Sequence, residues 1–148
     1  MADLWVLDTN VYIRALRDRQ RLADLKRFRV RARARLWVNA VVSLELRAGA
    51  VTEAHVQALD DLLKIYVDRG RVIAPSFDAY QQAGRIIATL ARKERFPLAD
   101  APRSFINDVL LAASCREAGA MLITENTSDF VTIQRHLKGF RFQMDYPD

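Results

Sequence analysis

The 148 residues carry 23 Lys and Arg against 18 Asp and Glu, a net charge of +5, with an ordinary apolar share and one cysteine. That length suits one domain over residues 1–148, with a core large enough to need no staples, and a lone cysteine excludes an internal disulfide framework. No apolar run approaches a membrane span and the first residues show no secretory pattern, so a soluble, cytoplasmic protein without membrane contact is expected.

Leu4-Trp5-Val6-Leu7 is a short run of bulky and β-branched residues that reads as a buried strand, and it stops on the carboxylate of Asp8. Asn10 to Arg17 reads as a short helix capped near Thr9 or Asn10. A second helix is expected through Leu22, Leu25 and Phe28, whereas Arg29 to Arg35 alternates Arg with Val or Ala, a period that suits a strand. Leu36 to Val42 is the second apolar run. Its first half reads as a strand, and Ser43 as the cap of a helix from Leu44 closed by Gly49. Thr52 caps another helix, with Val56, Leu59, Leu63 and Tyr66 on one stripe and Gly70 as its stop.

Arg71 to Ala74 reads as a brief third strand. Ser76 opens a long helix through Tyr80, Ala83, Ile87, Leu90 and Ala91, ending before Pro97, and Leu98 to Pro102 reads as a loop. Ser104 then caps a helix whose interior, Val109 to Ala113, is apolar on nearly every side and must be packed on more than one face. Cys115 falls in that stretch and reads as a packing thiol. Gly119 ends the helix, Met121 to Thr124 is a fourth strand, a short helix runs through Val131 and Ile133, and Phe140 to Met144 alternates as an edge strand. Strands alternating with helices predict a three-layer α/β/α domain around a mainly parallel sheet of about five strands.

In such a sheet the carboxyl ends of the strands share one edge, outside which ligands bind. Asp8 ends the first strand, Glu45 lies in the first turns of the helix after the second, and Asp108 heads the apolar helix before the fourth. Thr124 ends the fourth strand, with Asn126 and Asp129 just beyond. Singly, Asp8 reads more readily as a turn or cap residue, Glu45 as a surface or capping glutamate and Asp129 as favouring a helix N-terminus. Asp108, heading an apolar helix, must be paired or bind something, and the topology would gather all four. Clustered carboxylates repel unless a cation joins them, and an all-oxygen set favours Mg²⁺, with Mn²⁺ as a substitute, over zinc. Such an ion would activate water and stabilise a phosphoryl transition state.

His55 and His136 stand beside no carboxylate motif and read as surface or packing residues. There is no Gly-rich phosphate loop, nucleophile elbow or paired C-x-x-C. An aspartyl-nucleophile phosphatase would carry a second acid where Asn10 stands, and a receiver-like domain would need an acid pair that is missing here. The basic residues concentrate between Arg14 and Arg35, with only Asp18 and Asp24 against them, a pattern that fits a nucleic acid, an acidic protein segment or a solvated face.

Four segments in this order, Val6-Leu7-Asp8-Thr9-Asn10, Val42-Ser43-Leu44-Glu45-Leu46-Arg47-Ala48-Gly49, Asn107-Asp108-Val109-Leu110-Leu111-Ala112-Ala113 and Leu122-Ile123-Thr124-Glu125-Asn126-Thr127-Ser128-Asp129-Phe130, resemble the PIN-domain ribonucleases. Within them they resemble the VapC toxins of type II toxin–antitoxin systems. The resemblance implies Asp8, Glu45 and Asp108 as principal acids of a Mg²⁺ site. Many relatives carry an acid at the position of Asn126, so here Asp129 is expected to supply the missing charge, with one metal held firmly. Thr9 and Thr124 would orient carboxylates or waters. The implied activity is hydrolysis of RNA to 5′-phosphate and 3′-hydroxyl ends, with Arg31, Arg33 and Arg47 as candidate RNA contacts. A homodimer and a cognate antitoxin covering the site are implied partners. A housekeeping PIN nuclease in RNA processing and a non-catalytic nucleic-acid-binding module are the alternatives.

Overall fold

The computed structural model describes residues 3–93 and 103–148. The run after Asp3 forms β1, Leu4–Leu7, and its residues Trp5, Val6 and Leu7 are almost wholly buried. A central parallel strand is covered on both faces, which is why it reads as continuous apolar sequence rather than as an alternation. The remaining strands are β2 (Leu36–Asn39), β3 (Val72–Ile73), β4 (Ala120–Ile123) and β5 (Arg141–Gln143), and all four pairings in the order β3-β2-β1-β4-β5 are parallel. Seven α-helices among the described residues connect them: α1 (Thr9–Arg17), α2 (Arg19–Ala32), α3 (Ala40–Gly49), α4 (Glu53–Asp68), α5 (Phe77–Lys93), α6 (Arg103–Ala118) and α7 (Thr127–Gln134).

The chain leaves β1 toward β2 on one side, and β4 lies on the other. The order of strands therefore reverses beside β1, which opens a crevice at the carboxyl ends of β1 and β4. Helix α1 packs on α2 and α3, and α6 packs on α5 and α7. Helix α6 touches β2, β3 and β4, and Val109 and Leu111 to Cys115 are buried on several sides of it, as the apolar run requires. Burial also pushes the Cys115 thiol far up, which leaves it an inert packing group.

Several local expectations change. Arg29 to Ala32 continues α2 instead of forming a strand: Leu25, Phe28 and Ala32 recur at helical spacing and are buried, while Val30 is 70% exposed. The helix stops at Arg33, whose φ of +48° is a strained left-handed value for a residue with a Cβ, and a 3₁₀ turn over Arg33–Arg35 leads into β2. Helix α1 is capped by Asp8, whose carboxylate accepts from the Thr9 N–H, and α3 by Asn39, which accepts from the Val41 N–H. Ser43 lies inside α3 and Ser104 inside α6, so neither is a cap.

Thr52 and Ser76 do cap their helices, accepting from the His55 and Ala79 N–H groups. Gly70 and Gly119 stop α4 and α6 at φ +65° and +68°, values that glycine adopts freely. Val56 and Tyr80, expected on core stripes, are exposed, and Leu62, Ala79 and Ile86 are buried instead. The expected loop from Leu98 to Pro102 lies outside the described residues. No helix among the described residues is long and apolar enough to cross a membrane.

Candidate active site

Two strand ends and two helix starts meet at the crevice. Asp8 follows β1 and its N–H donates to the Ile123 carbonyl at 2.9 Å, which locks the end of β1 against β4. Its Oδ1 accepts from the Thr9 N–H at 2.8 Å. Its Oδ2 accepts from the Thr124 hydroxyl at 2.7 Å and from the Asn10 amide at 3.3 Å. Thr124, fully buried one residue beyond β4, also accepts from the Asn126 N–H at 3.0 Å and the Asn10 amide at 3.3 Å. The carboxylate of Asp8 is thus fixed by groups from both strands.

Glu45 approaches from α3, where the Thr9 hydroxyl donates to its Oε1 at 2.8 Å. Asp108 enters from the first turns of α6, 6% exposed, and its Oδ2 accepts from the Asn126 side-chain amide at 3.1 Å. The same amide donates to Asp129 Oδ2 at 3.1 Å. One neutral amide therefore stands between two acids.

The electrostatics follow from this packing. Burial, and then the negative charges of Asp8, Glu45 and Asp129, push the Asp108 carboxyl up to about 8, with Asn126 opposing. Burial likewise raises Asp8, against the hydrogen bonds from Thr124 and Thr9, and Glu45 adds to the rise. Burial and three neighbouring acids disfavour the ionised form of Asp108, and a nearby cation would favour it. Among the described residues no three acid, histidine or cysteine side chains stand close enough together to hold a metal ion by themselves. Mg²⁺ does not require such a set, because it is held through one or two carboxylates and keeps several waters. The donors fit a hard, oxygen-loving ion.

The structure thus brings together Asp8, Glu45, Asp108 and Asp129, with Thr9, Thr124 and Asn126 between them. It does not bring the three arginines there. Arg47 pairs with Asp60 of α4 at 2.5 Å. Arg31 donates to the Pro147 carbonyl at 2.8 Å and lies over the Phe28 ring, and Arg33 borders the start of β2, at the opposite edge of the sheet from Asp8. Neither lies among the crevice acids. The alternating Arg run continues a helix that ends at the amino edge, so its charges cannot face the crevice.

Two residues passed over in the sequence do belong here. Asn10 bridges Asp8 and Thr124 and accepts from the Glu125 N–H at 3.3 Å. Its place two residues after Asp8, in the first turn of a helix, was the available signal. Glu125 anchors two arginines of the crevice rim, Arg21 at 2.7 Å and Arg14 at 2.8 Å, the latter close without hydrogen-bond alignment.

The sequence profile of the PIN domain family matches residues 5–135. No curated protein sequence matches the chain. Among solved structures, a chain of the DNA-bound VapBC from Salmonella typhimurium superposes with a TM-score of 0.70 at 20% identity, covering 97% of this chain and 98% of that one. A chain of VapBC-1 from nontypeable Haemophilus influenzae gives 0.65 at 24% identity, covering 95% and 97%. A chain of FitAcB from Neisseria gonorrhoeae gives 0.64 at 18% identity, covering 96% and 97%. These likenesses are of fold.

Proposed function

The chain belongs to the PIN domain family, and from that premise we propose that it is a Mg²⁺-dependent endoribonuclease acting as the toxin of a type II toxin–antitoxin pair. The observation that carries the nuclease reading is the acidic crevice: Asp108, buried and driven up to about 8 by burial and by the charges of Asp8, Glu45 and Asp129. Four acids that gain nothing from each other's company are best explained by a ligand that neutralises them. Mg²⁺ held there would offset charge on a phosphoryl group and lower the pKa of a nearby water.

The chain's own residues have separable tasks in this reading. Asp8, Glu45 and Asp108 supply the anionic oxygens, and Asp129 adds charge from α7. Thr124 and Asn10 fix the Asp8 carboxylate, and Thr9 turns Glu45 inward, so the donor geometry exists before substrate arrives. Asn126 keeps Asp108 and Asp129 bridged by a neutral group, which limits the negative charge available. We therefore assign one firmly held ion.

The toxin assignment is supported by the fold shared with chains from VapBC and FitAcB complexes over nearly their whole length. An antitoxin has a surface to seat on, since an apolar trough of about 280 Å³ lined by Ile13, Leu16, Leu46 and Leu59 lies directly beside Glu45. A homodimer is part of the same reading, and Phe77 and Tyr80, 76% and 56% exposed at the start of α5, offer an apolar face for it. Induced expression followed by sequencing of RNA ends tests the whole assignment. New 5′-phosphate ends and growth arrest, both lost in Asp8→Asn, are expected; arrest that persists in that variant would refute it.

A further inference from the structure

The amino edge of the sheet carries a second, oppositely charged feature. A cavity of about 770 Å³ opens between α2 and α4 beside the start of β2, and Lys26, Arg29, Arg33, Arg69 and Arg71 line it together with Tyr66. Among the described residues none of these five cations has an ion pair with an acid. Lys26, Arg33 and Arg69 are exposed at the cavity rim, and Arg29 and Arg71 are half-buried beneath them, so like charges are gathered on one concave face.

Arg29 makes the demand specific. Its side chain is half-buried, with the guanidinium 5.4 Å from the Tyr66 ring centroid, and its Nη2 is enclosed without an acceptor. A guanidinium N–H taken out of water and left unpaired is unfavourable, and an anionic oxygen is the acceptor that suits it. The Tyr66 hydroxyl oxygen accepts from Tyr12 at 2.9 Å, and Arg29 Nη2 makes no hydrogen bond to it. The rim is held open as well. Arg33 sits in its strained backbone conformation and its carbonyl accepts from Arg71 Nη1 at 3.0 Å, which fixes a second guanidinium at the mouth.

From these contacts we infer that the cavity is a phosphate-binding site, remote from the acidic crevice and on the opposite edge of the sheet. Several arginine forks converging on one pocket match a tetrahedral oxyanion, which accepts from more donors at once than a carboxylate does. The phosphate can belong to an RNA backbone or arrive as a free anion, and the chemistry at Arg29 is the same for both. This inference does not depend on the crevice being catalytic.

Binding is measured in metal-free buffer, so that cleavage plays no part. The full chain is titrated with a fluorescent single-stranded RNA and, separately, melted in the presence of inorganic phosphate. Arg29→Gln probes the buried donor, and the exposed rim pair Lys26→Glu/Arg69→Glu gives a variant whose fold is not at stake. If the pocket holds a backbone phosphate, RNA affinity falls about tenfold or more in the rim variant, and the slope of log Kd on log salt drops by about 1 for each phosphate that is no longer neutralised. If it holds free phosphate, inorganic phosphate raises the Tm of the parent chain by a few degrees and of neither variant, while RNA affinity is unchanged. Either result supports the site and identifies its source. Unchanged RNA affinity together with no response to phosphate overturns it, as does binding of a glutamate-rich peptide, but not of phosphate, that the rim variant abolishes.

Discussion

The side-chain amide of Asn126 donates to Asp108 at 3.1 Å, and its second proton reaches Asp129 at the same distance. A neutral group thus occupies the position where a further carboxylate would crowd the crevice. Asn126→Asp should make the metal-free protein less stable by about 1–3 kcal/mol, because a donor to Asp108 is replaced by a like charge. Mn²⁺ should bind the same variant more tightly. Thermal melts with and without Mn²⁺ read both effects, and a variant that is stabilised without metal would be inconsistent with the assigned bridge.

Asp108→Asn separates stability from activity. Removing a carboxyl that burial and neighbouring charges disfavour should raise the Tm of the metal-free protein at pH 8 and above. RNA cleavage should meanwhile fall by more than the 10–100-fold typical of residues that only support a metal's ligands. A variant that loses both stability and activity would mark Asp108 as a structural acid.

The pH dependence has a definite sign. The folded-state value of Asp108, about 8, lies above the ordinary range of an unfolded aspartate, near 4. The folded chain therefore binds this proton more tightly, so the contribution is fully present below about pH 4 and is lost as pH rises through about 8. A cation takes the ionised carboxyl. Mg²⁺ binding at pH 7 should release about one proton, and at pH 9.5 almost none, which calorimetry in buffers of different ionisation enthalpy measures directly.

Thr124 and Thr9 should behave differently although both are hydroxyls on acids. Thr124 is buried and serves Asp8, Asn10 and Asn126, so Thr124→Val should cost about 1–3 kcal/mol of stability in a denaturant melt. Thr9 is half-buried and turns only Glu45, so Thr9→Val should leave the Tm nearly unchanged while lowering cleavage about 10–100-fold.

Arg47, in the last turn of α3, pairs with Asp60 on an exposed surface. Arg47→Ala should change stability by no more than about 1 kcal/mol and leave RNA affinity where it was. Filter binding in metal-free buffer checks this.

Two of the crevice acids were legible by conflict with their neighbours: Asp8 interrupts an apolar run, and Asp108 lies in the second turn of a helix that is buried on several sides. The sheet was legible for the same reason, since a strand covered on both faces leaves no alternation to misread. The path of Arg29 to Arg35 was not. Long basic residues alternating with small apolar ones satisfy a period of two, while the burial that decides the matter, Leu25, Phe28 and Ala32, follows a period near 3.6. Asn39 was obscured because Ser43 is an equally good cap chemically, and Val41 and Val42 extend the apolar run into what is already helix. Asn10 was readable as a helix opener but not as a bridge, since Thr124 lies more than a hundred residues away in sequence and meets it only through the pairing of β1 with β4.

The central claim is that Asp8 is one wall of a metal-dependent RNA-cleaving site, and the direct measurement is cleavage of a defined RNA pool by the purified chain and by Asp8→Asn, each with Mg²⁺ and with a chelator. The Asn side chain can still cap α1, so the fold should survive, as circular dichroism would verify. The account predicts Mg²⁺-dependent cleavage that leaves 5′-phosphate ends, abolished by the chelator and by the substitution. Equal cleavage by a folded Asp8→Asn, or cleavage indifferent to the chelator, would contradict it.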